Sequence, residues 1–262
     1  MESTEKNLLK KRLLTLLKDF DSICKGNNIN YTLHGGSLLG AIRHGGFIPW
    51  DDDIDIAMTH CEYMKLCRVL ESSDEFYINT KLVKMPKFMR QNSGDIELLD
   101  IFEYTYISEK ILPQKIKILA LLLVGALSKP IESLDIKTDS RHPVIRKITV
   151  NILSAIGSKL SHEVKLKWYN TISTKWCQGR HMYIHRSNDK ADSVGIILPS
   201  ECMKDYKYVD FEDTKMMISN GYDEILRTAY GDDYMTLPPA EKRQGHMNEV
   251  WEFNRQLRTK KK

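Results

Sequence analysis

The chain has 262 residues, of which 42% are hydrophobic and 28% charged, and its net charge is only +4. That balance suits a folded globular core and excludes a long disordered protein; the length allows one large domain or a core with an annex. The charged opening, residues 1–12, lacks the apolar stretch of a secretory signal, and the five cysteines form no CxxC and no zinc spacing, so a cytoplasmic protein with reduced thiols and no structural zinc is expected.

In chain order, residues 5–25 repeat Leu9, Leu13, Leu16, Leu17, Phe20 and Cys24 at helical spacing, predicting an amphipathic helix stopped by Gly26. Residues 31–34 read as a short strand, which Gly35-Gly36-Ser37 turns into a helix over 38–43; Gly45-Gly46 breaks that helix. A second strand is expected over 54–58. Thr59 and Glu62 then form a capping box that opens another helix. Residues 76–85 and 96–107 read as further strands. This alternation predicts an α/β (α+β) fold: a mixed sheet with helices packed on it.

From residue 111 the pattern turns helical. Residues 116–127 are strongly apolar but only about a dozen long, short of the ~20 needed to span a bilayer. They are read as a buried helix, with an interfacial helix touching a membrane as the competitor. Further helices are expected over 162–180 and over 222–230, the latter ended by Gly231. Between 111 and 186, thirteen Lys or Arg face four Asp or Glu, an excess of nine positive charges that leaves the remaining chain at −5. An acidic body joined to a basic segment suits a catalytic core beside a surface that meets anions; a solvated helical face is the simpler alternative. The expected organisation is a catalytic core over 1–110, a helical basic segment over 111–190, and a C-terminal part over 191–262 that completes the core and site.

Three features carry chemistry. At His34-Gly35-Gly36-Ser37, glycines allow close backbone approach to an anion, and the following helix start offers free N–H groups. Ser37 can donate to a phosphate oxygen or cap the helix. In Trp50-Asp51-Asp52-Asp53-Ile54-Asp55-Ile56, strand alternation points Asp53 and Asp55 the same way, with Asp51 on that face if the strand begins early. Carboxylates side by side repel unless a cation lies between them, and Mg²⁺, with Mn²⁺ as the alternative, suits an all-oxygen set. In Leu99-Asp100-Ile101-Phe102, a carboxylate in so apolar a run costs several kcal/mol to bury unless paired or metal-bound. Its strand can lie beside the first acidic strand and supply a third ligand.

Residues 33–58, from Leu33-His-Gly-Gly-Ser to Trp50-Asp-Asp-Asp-Ile-Asp-Ile-Ala-Met58, resemble the signature of the LicD family, which includes the fukutin-related proteins. Leu99-Asp100-Ile101-Phe102 resembles its later acidic strand, and Tyr230-Gly-Asp-Asp-Tyr-Met-Thr-Leu-Pro-Pro239 is similar to its C-terminal element. The resemblance implies a polymerase-β-like nucleotidyltransferase core. It also implies transfer of a phospho-alcohol, such as phosphocholine or ribitol phosphate, from a CDP-linked donor to a glycan acceptor, lipid-linked acceptors included. Asp53 and Asp55 are then metal ligands with Asp51 a helper, and Asp100 is a further ligand or the base. Gly35, Gly36 and Ser37 contact the donor phosphate, with Arg43 and His44 just beyond. Glu103 stands where relatives often have proline, and Ile218-Ser219-Asn220 lacks another common proline. Arg243 and His246 follow the Pro-Pro turn and are candidates to fold back over the site.

The expected partners are the donor and the glycan, not nucleic acid, with peripheral contact through 111–186 at the inner face of a membrane. One competing reading is a glycosyltransferase using its Asp-x-Asp to hold Mn²⁺ and a nucleotide-sugar; only 52 residues precede Asp53, which is short for the nucleotide-binding unit such folds place there. The other is a glycan- or membrane-binding protein that has lost its chemistry, which the intact acidic set argues against.

Overall fold

Leucines at helical spacing drive the first element. In the computed structural model, which describes residues 3–81, 85–93, 97–129, 143–175, 181–189 and 191–243, helix α1 (Ser3–Gly26) buries all six apolar positions expected to face inward, from Leu9 to Cys24. The chain divides into two compact units: Met1–Ile78, Lys87–Phe102 and Glu201–Lys262 form one, Asn79–Pro86 and Glu103–Ser200 the other.

The first unit contains the expected α/β alternation: β1 (Thr32–Leu33), α2 (Gly35–His44), β2 (Asp55–Thr59), α3 (His60–Leu70), β3 (Phe76–Asn79), β4 (Lys87–Arg90) and the opening half of β5 (Leu98–Ile107). Spatially the strands run β1-β2-β5-β4-β3. β1 is antiparallel to β2, with Leu33 opposite Ile56, and β4 is antiparallel to β5, with Lys87 opposite Asp100. Phe20 of α1 meets Tyr31 and Phe88 edge-on, both at 5.1 Å between ring centroids, and Phe76 stacks on Phe88. The capping box at Thr59 is half formed. Thr59 Oγ1 accepts from the Glu62 amide, but the Glu62 carboxylate accepts from the Asn30 amide at 2.9 Å, tying α3 to the loop before β1.

A hairpin, β8 (Tyr206–Phe211) and β9 (Thr214–Ser219), and helix α7 (Tyr222–Tyr230) complete this unit. The hairpin has no counterpart in the sequence-based expectation. Tyr31 donates to Asp21 and accepts from the Met217 amide, and the Thr32 hydroxyl accepts from the Ser219 amide, so β9 is bound to β1.

In the second unit the later half of β5 pairs antiparallel with β6 (Tyr183–Arg186), which pairs with β7 (Ile197–Pro199). Helices α4 (Ile111–Ser128) and α6 (His162–Ser173) pack around Leu121, Val124, Tyr169 and Val194, and α5 (Pro143–Gly157) packs against α4. Lys117 is buried, its ammonium donating to the Thr105 hydroxyl and to the carbonyls of Tyr106, Ser173 and Lys175. Two expectations need correction. Helix α4 is 18 residues long rather than a dozen, because Pro113 lies in its first turn, where a missing N–H costs nothing. It is also not a buried helix: only one face packs inward, and Leu112, Ile116, Leu119 and Leu123 lie exposed. The helix expected over 162–180 ends at Ser173, and residues 176–180 lie outside the described residues. The four described cysteines are free thiols.

Removing a ring at the centre of the aromatic cluster leaves a cavity among parts that cannot collapse onto it. Phe20→Ala should therefore cost about 3–5 kcal/mol, measured as a lowered urea midpoint. A loss below about 1 kcal/mol would place the core elsewhere.

Candidate active site

Helix α2 begins earlier than the sequence suggests. Gly35-Gly36-Ser37 is its first turn and not a turn before it. His34 is extended, and Gly35, at φ +51°, switches the chain into the helix. A Cβ on Gly35 would lie 2.6 Å from Asp55 Oδ2, and one on Gly36 would overlap Asp51 Oδ2. Both carboxylates therefore sit against bare backbone at the start of a helix, where unpaired N–H groups and the positive dipole end favour negative charge. Ser37 is buried, and its hydroxyl accepts from the Asp55 amide at 3.0 Å, pinning α2 to β2.

The acidic run alternates as expected: Asp51, Asp53 and Asp55 are half-buried, while Asp52, Ile54 and Ile56 are buried. Regular strand hydrogen bonding starts only at Asp55. Burial above all, and then the Asp52 charge, pushes the Asp51 carboxyl up from its usual range, against the pull of Asp53 and Lys10. Two lysines one turn apart on α1 fix the segment leading into the run: Lys6 donates to the Trp50 carbonyl at 2.5 Å, and Lys10 to the carbonyls of Ile48 and Pro49. Burial, reinforced by Lys6, lowers the pKa of Lys10.

Asp100 lies on β5, beside this segment, with its amide donating to the Ile54 carbonyl at 3.1 Å. Its carboxylate is held by Lys87, directly across on β4. The four carboxylates of the expected metal set do not form a closed shell; among the described residues no group of three or more His, Cys, Asp or Glu is arranged to hold a metal as it stands. The donor chemistry of residues 51, 53 and 55, three half-buried carboxylates sharing one face, is that of an oxygen-preferring divalent cation.

Around this face the structure places three residues the sequence named, Arg43, His44 and Arg243, and one it missed, Glu212. Trp50 is flanked by the His44 ring, edge-on at 6.2 Å, and by the Arg243 guanidinium 5.4 Å from its centroid. Arg243 thus does fold back beside the acidic run, while His246 lies outside the described residues. Glu212, at the hairpin tip, accepts from the Phe47 amide through its carboxylate and donates its own amide to the Gly45 carbonyl, both at 2.8 Å. Arg43 donates from Nη1 to the carbonyls of Tyr234 and Thr236, tying the end of α2 to the C-terminal motif. Burial first, then Arg43, lowers the pKa of His44 below its usual 6.5. One acid of that motif, Asp232, pairs with Arg227, which also binds Asp223, and the Tyr234 hydroxyl donates to Asp223.

The sequence profile described as "LicD/FKTN/FKRP, nucleotidyltransferase domain" matches residues 28–113, which contain the glycines of α2, the acidic run and Asp100. Residues 28–113 thus carry a likeness to the LicD family. It is 28% identical to the lipopolysaccharide cholinephosphotransferase LicD of Haemophilus influenzae over 264 residues, covering 89% of this chain and 92% of that protein. It is 41% identical over 63 residues to an uncharacterized protein of Rickettsia prowazekii, 24% of each chain. To the human ribitol 5-phosphate transferase FKRP it is 40% identical over 52 residues, 20% of this chain and 10% of that protein. The nucleotidyltransferase-like α/β fold of the LicD family accords with the mixed sheet seen here.

Of the missed residues, only Lys6 and Lys10 left a sequence signal, a pair of cations one helical turn apart. Two outcomes test the site. Gly36→Ala should displace the Asp51 carboxylate and lower turnover about 100-fold with the circular dichroism spectrum unchanged; full activity would show that Asp51 has room to move. His44 should titrate with a midpoint below 6.5 in a proton NMR series, leaving it neutral at pH 7, and a midpoint above 6.5 would contradict the effect of desolvation and of the neighbouring Arg43 charge.

Proposed function

We propose that this chain transfers a phospho-alcohol, of the phosphocholine or polyol-phosphate type, from a CDP-activated donor to a sugar of a cell-surface glycan, using Mg²⁺ or Mn²⁺. Near full-length similarity to a lipopolysaccharide cholinephosphotransferase makes it a phosphotransferase acting on a glycan; the CDP donor, the metal and the cargo are the further reading. The observation that carries it is the seating of Asp51 and Asp55 against Gly36 and Gly35 at the start of α2.

Asp51, Asp53 and Asp55 would hold the cation, with Asp100 on the neighbouring strand as a fourth ligand or as the base. A cation bound there would supply charge neutralisation at the donor's phosphates and at the attacking and leaving oxygens. The residues of the chain do the rest. The first turn of α2 presents N–H groups and the Ser37 hydroxyl to a phosphate oxygen. Asp100, directed by Lys87, accepts the proton of the acceptor hydroxyl in its role as base. Holding both substrates in line is where most of the rate comes from in such transfers. Arg43 belongs to the scaffold through Nη1, and a neutral His44 adds no charge to the donor pocket at pH 7. The expected location is the cytoplasm, with peripheral contact at the inner face of a membrane where lipid-linked glycans are assembled as the further reading.

Asp53→Asn should lower CMP release from CDP-choline or CDP-ribitol by about 1,000-fold without changing the melting temperature, and chelation should do the same to the wild type. Unchanged turnover in either experiment rejects the metal assignment. Turnover of UDP-sugars in place of CDP-alcohols would favour the glycosyltransferase reading.

A further inference from the structure

We propose that the helices of the second unit form a docking face for an anionic phospholipid surface. Helix α4 buries Lys117, Leu121 and Val124 on one side and leaves Leu112, Ile116, Leu119 and Leu123, each 44–69% exposed, along the other. Helix α5 packs against α4: Gly157 lets the Leu127 carbonyl approach, and the Ser154 hydroxyl donates to the Lys129 carbonyl. It carries its own stripe, Ile148, Ile152 and Ile156, all more than half exposed at a four-residue spacing. On α6, Val164 and Trp168, also one turn apart, are exposed. Three adjacent helices each showing an apolar stripe is more than a chain surrounded by water keeps without a use.

The charge around the stripes selects the occupant. Among the described residues between 111 and 175, Glu163 is the only acid, whereas Lys115, Lys159 and Lys167 are exposed. Apolar side chains fringed by lysines, with a tryptophan among them, match an anionic headgroup layer over acyl chains. By length and composition α4 could also cross a membrane. Against that, Lys117, near its middle, is tied to four oxygens of the unit's interior. The helix therefore lies on a lipid surface with one face in the protein.

This inference deepens the membrane placement in the proposed function, and its test reads binding without turnover, so either can fail while the other stands. The full chain is floated with vesicles of phosphatidylcholine alone or enriched in phosphatidylglycerol, at low and high salt. The wild type should float with the anionic vesicles at low salt and be released at high salt. Leu119→Glu and Ile152→Glu, at exposed positions and with unchanged melting, should each weaken binding about tenfold. No flotation of the wild type overturns the proposal, as does equal binding to neutral vesicles without salt dependence. A wild-type dimer that either variant turns into a monomer also overturns it, since a second copy would then cover the face.

Discussion

Several carboxylates must share one face without driving the structure apart, and the rest of the first unit is arranged around that demand. Two unit charges 4 Å apart interact by about 4 kcal/mol at the effective dielectric near a protein surface, a large share of a domain's net stability. The structure offsets this by setting Asp51 and Asp55 against the glycine backbone that opens α2 and by the nearby lysines of α1. A side chain larger than hydrogen at residue 35 or 36 would occupy the space the carboxylates use.

The surrounding scaffold holds backbone rather than ligand. Lys6 and Lys10 grip the carbonyls of 48–50, Glu212 grips 45–47, and Arg43 grips the turn at 234–236. The lysine and Glu212 contacts join distant parts of the sequence to the short segment between α2 and β2, which carries three adjacent aspartates, while Arg43 anchors the end of α2 that leads into it. The C-terminal motif serves the site in this way. Its Asp232 pairs with Arg227 and its Tyr234 hydroxyl with Asp223, while the carbonyls of Tyr234 and Thr236 receive Arg43.

In the second unit, the departure at Glu103 has a local explanation. Its amide donates to the Asn188 side chain at 2.8 Å, and its carbonyl accepts from the Ser187 amide. A proline has no N–H to make the first of these bonds. Lys117 plays a comparable part at the other end of the strand, satisfying backbone carbonyls where β5 and α6 end.

Local pattern was enough for much of this. The leucine spacing gave α1 and its buried face, the alternation of Asp and Ile gave the orientation of the acidic run, and the glycine-serine turn and motif order pointed to the family. These features are encoded over a few residues, where periodicity and side-chain chemistry speak directly. Other features had no local code. The hairpin of β8 and β9 turns at Glu212-Asp213 without the usual Asn-Gly signal; Glu212 takes a positive φ of 55° and is held by Gly45 and Phe47 from far upstream. Lys87 faces Asp100, and Arg243 reaches Trp50, only because strands and loops distant in sequence meet. The exposure of α4 could not be read from its composition either: apolar residues declare themselves in the sequence, but which of them find partners is decided by what packs beside them.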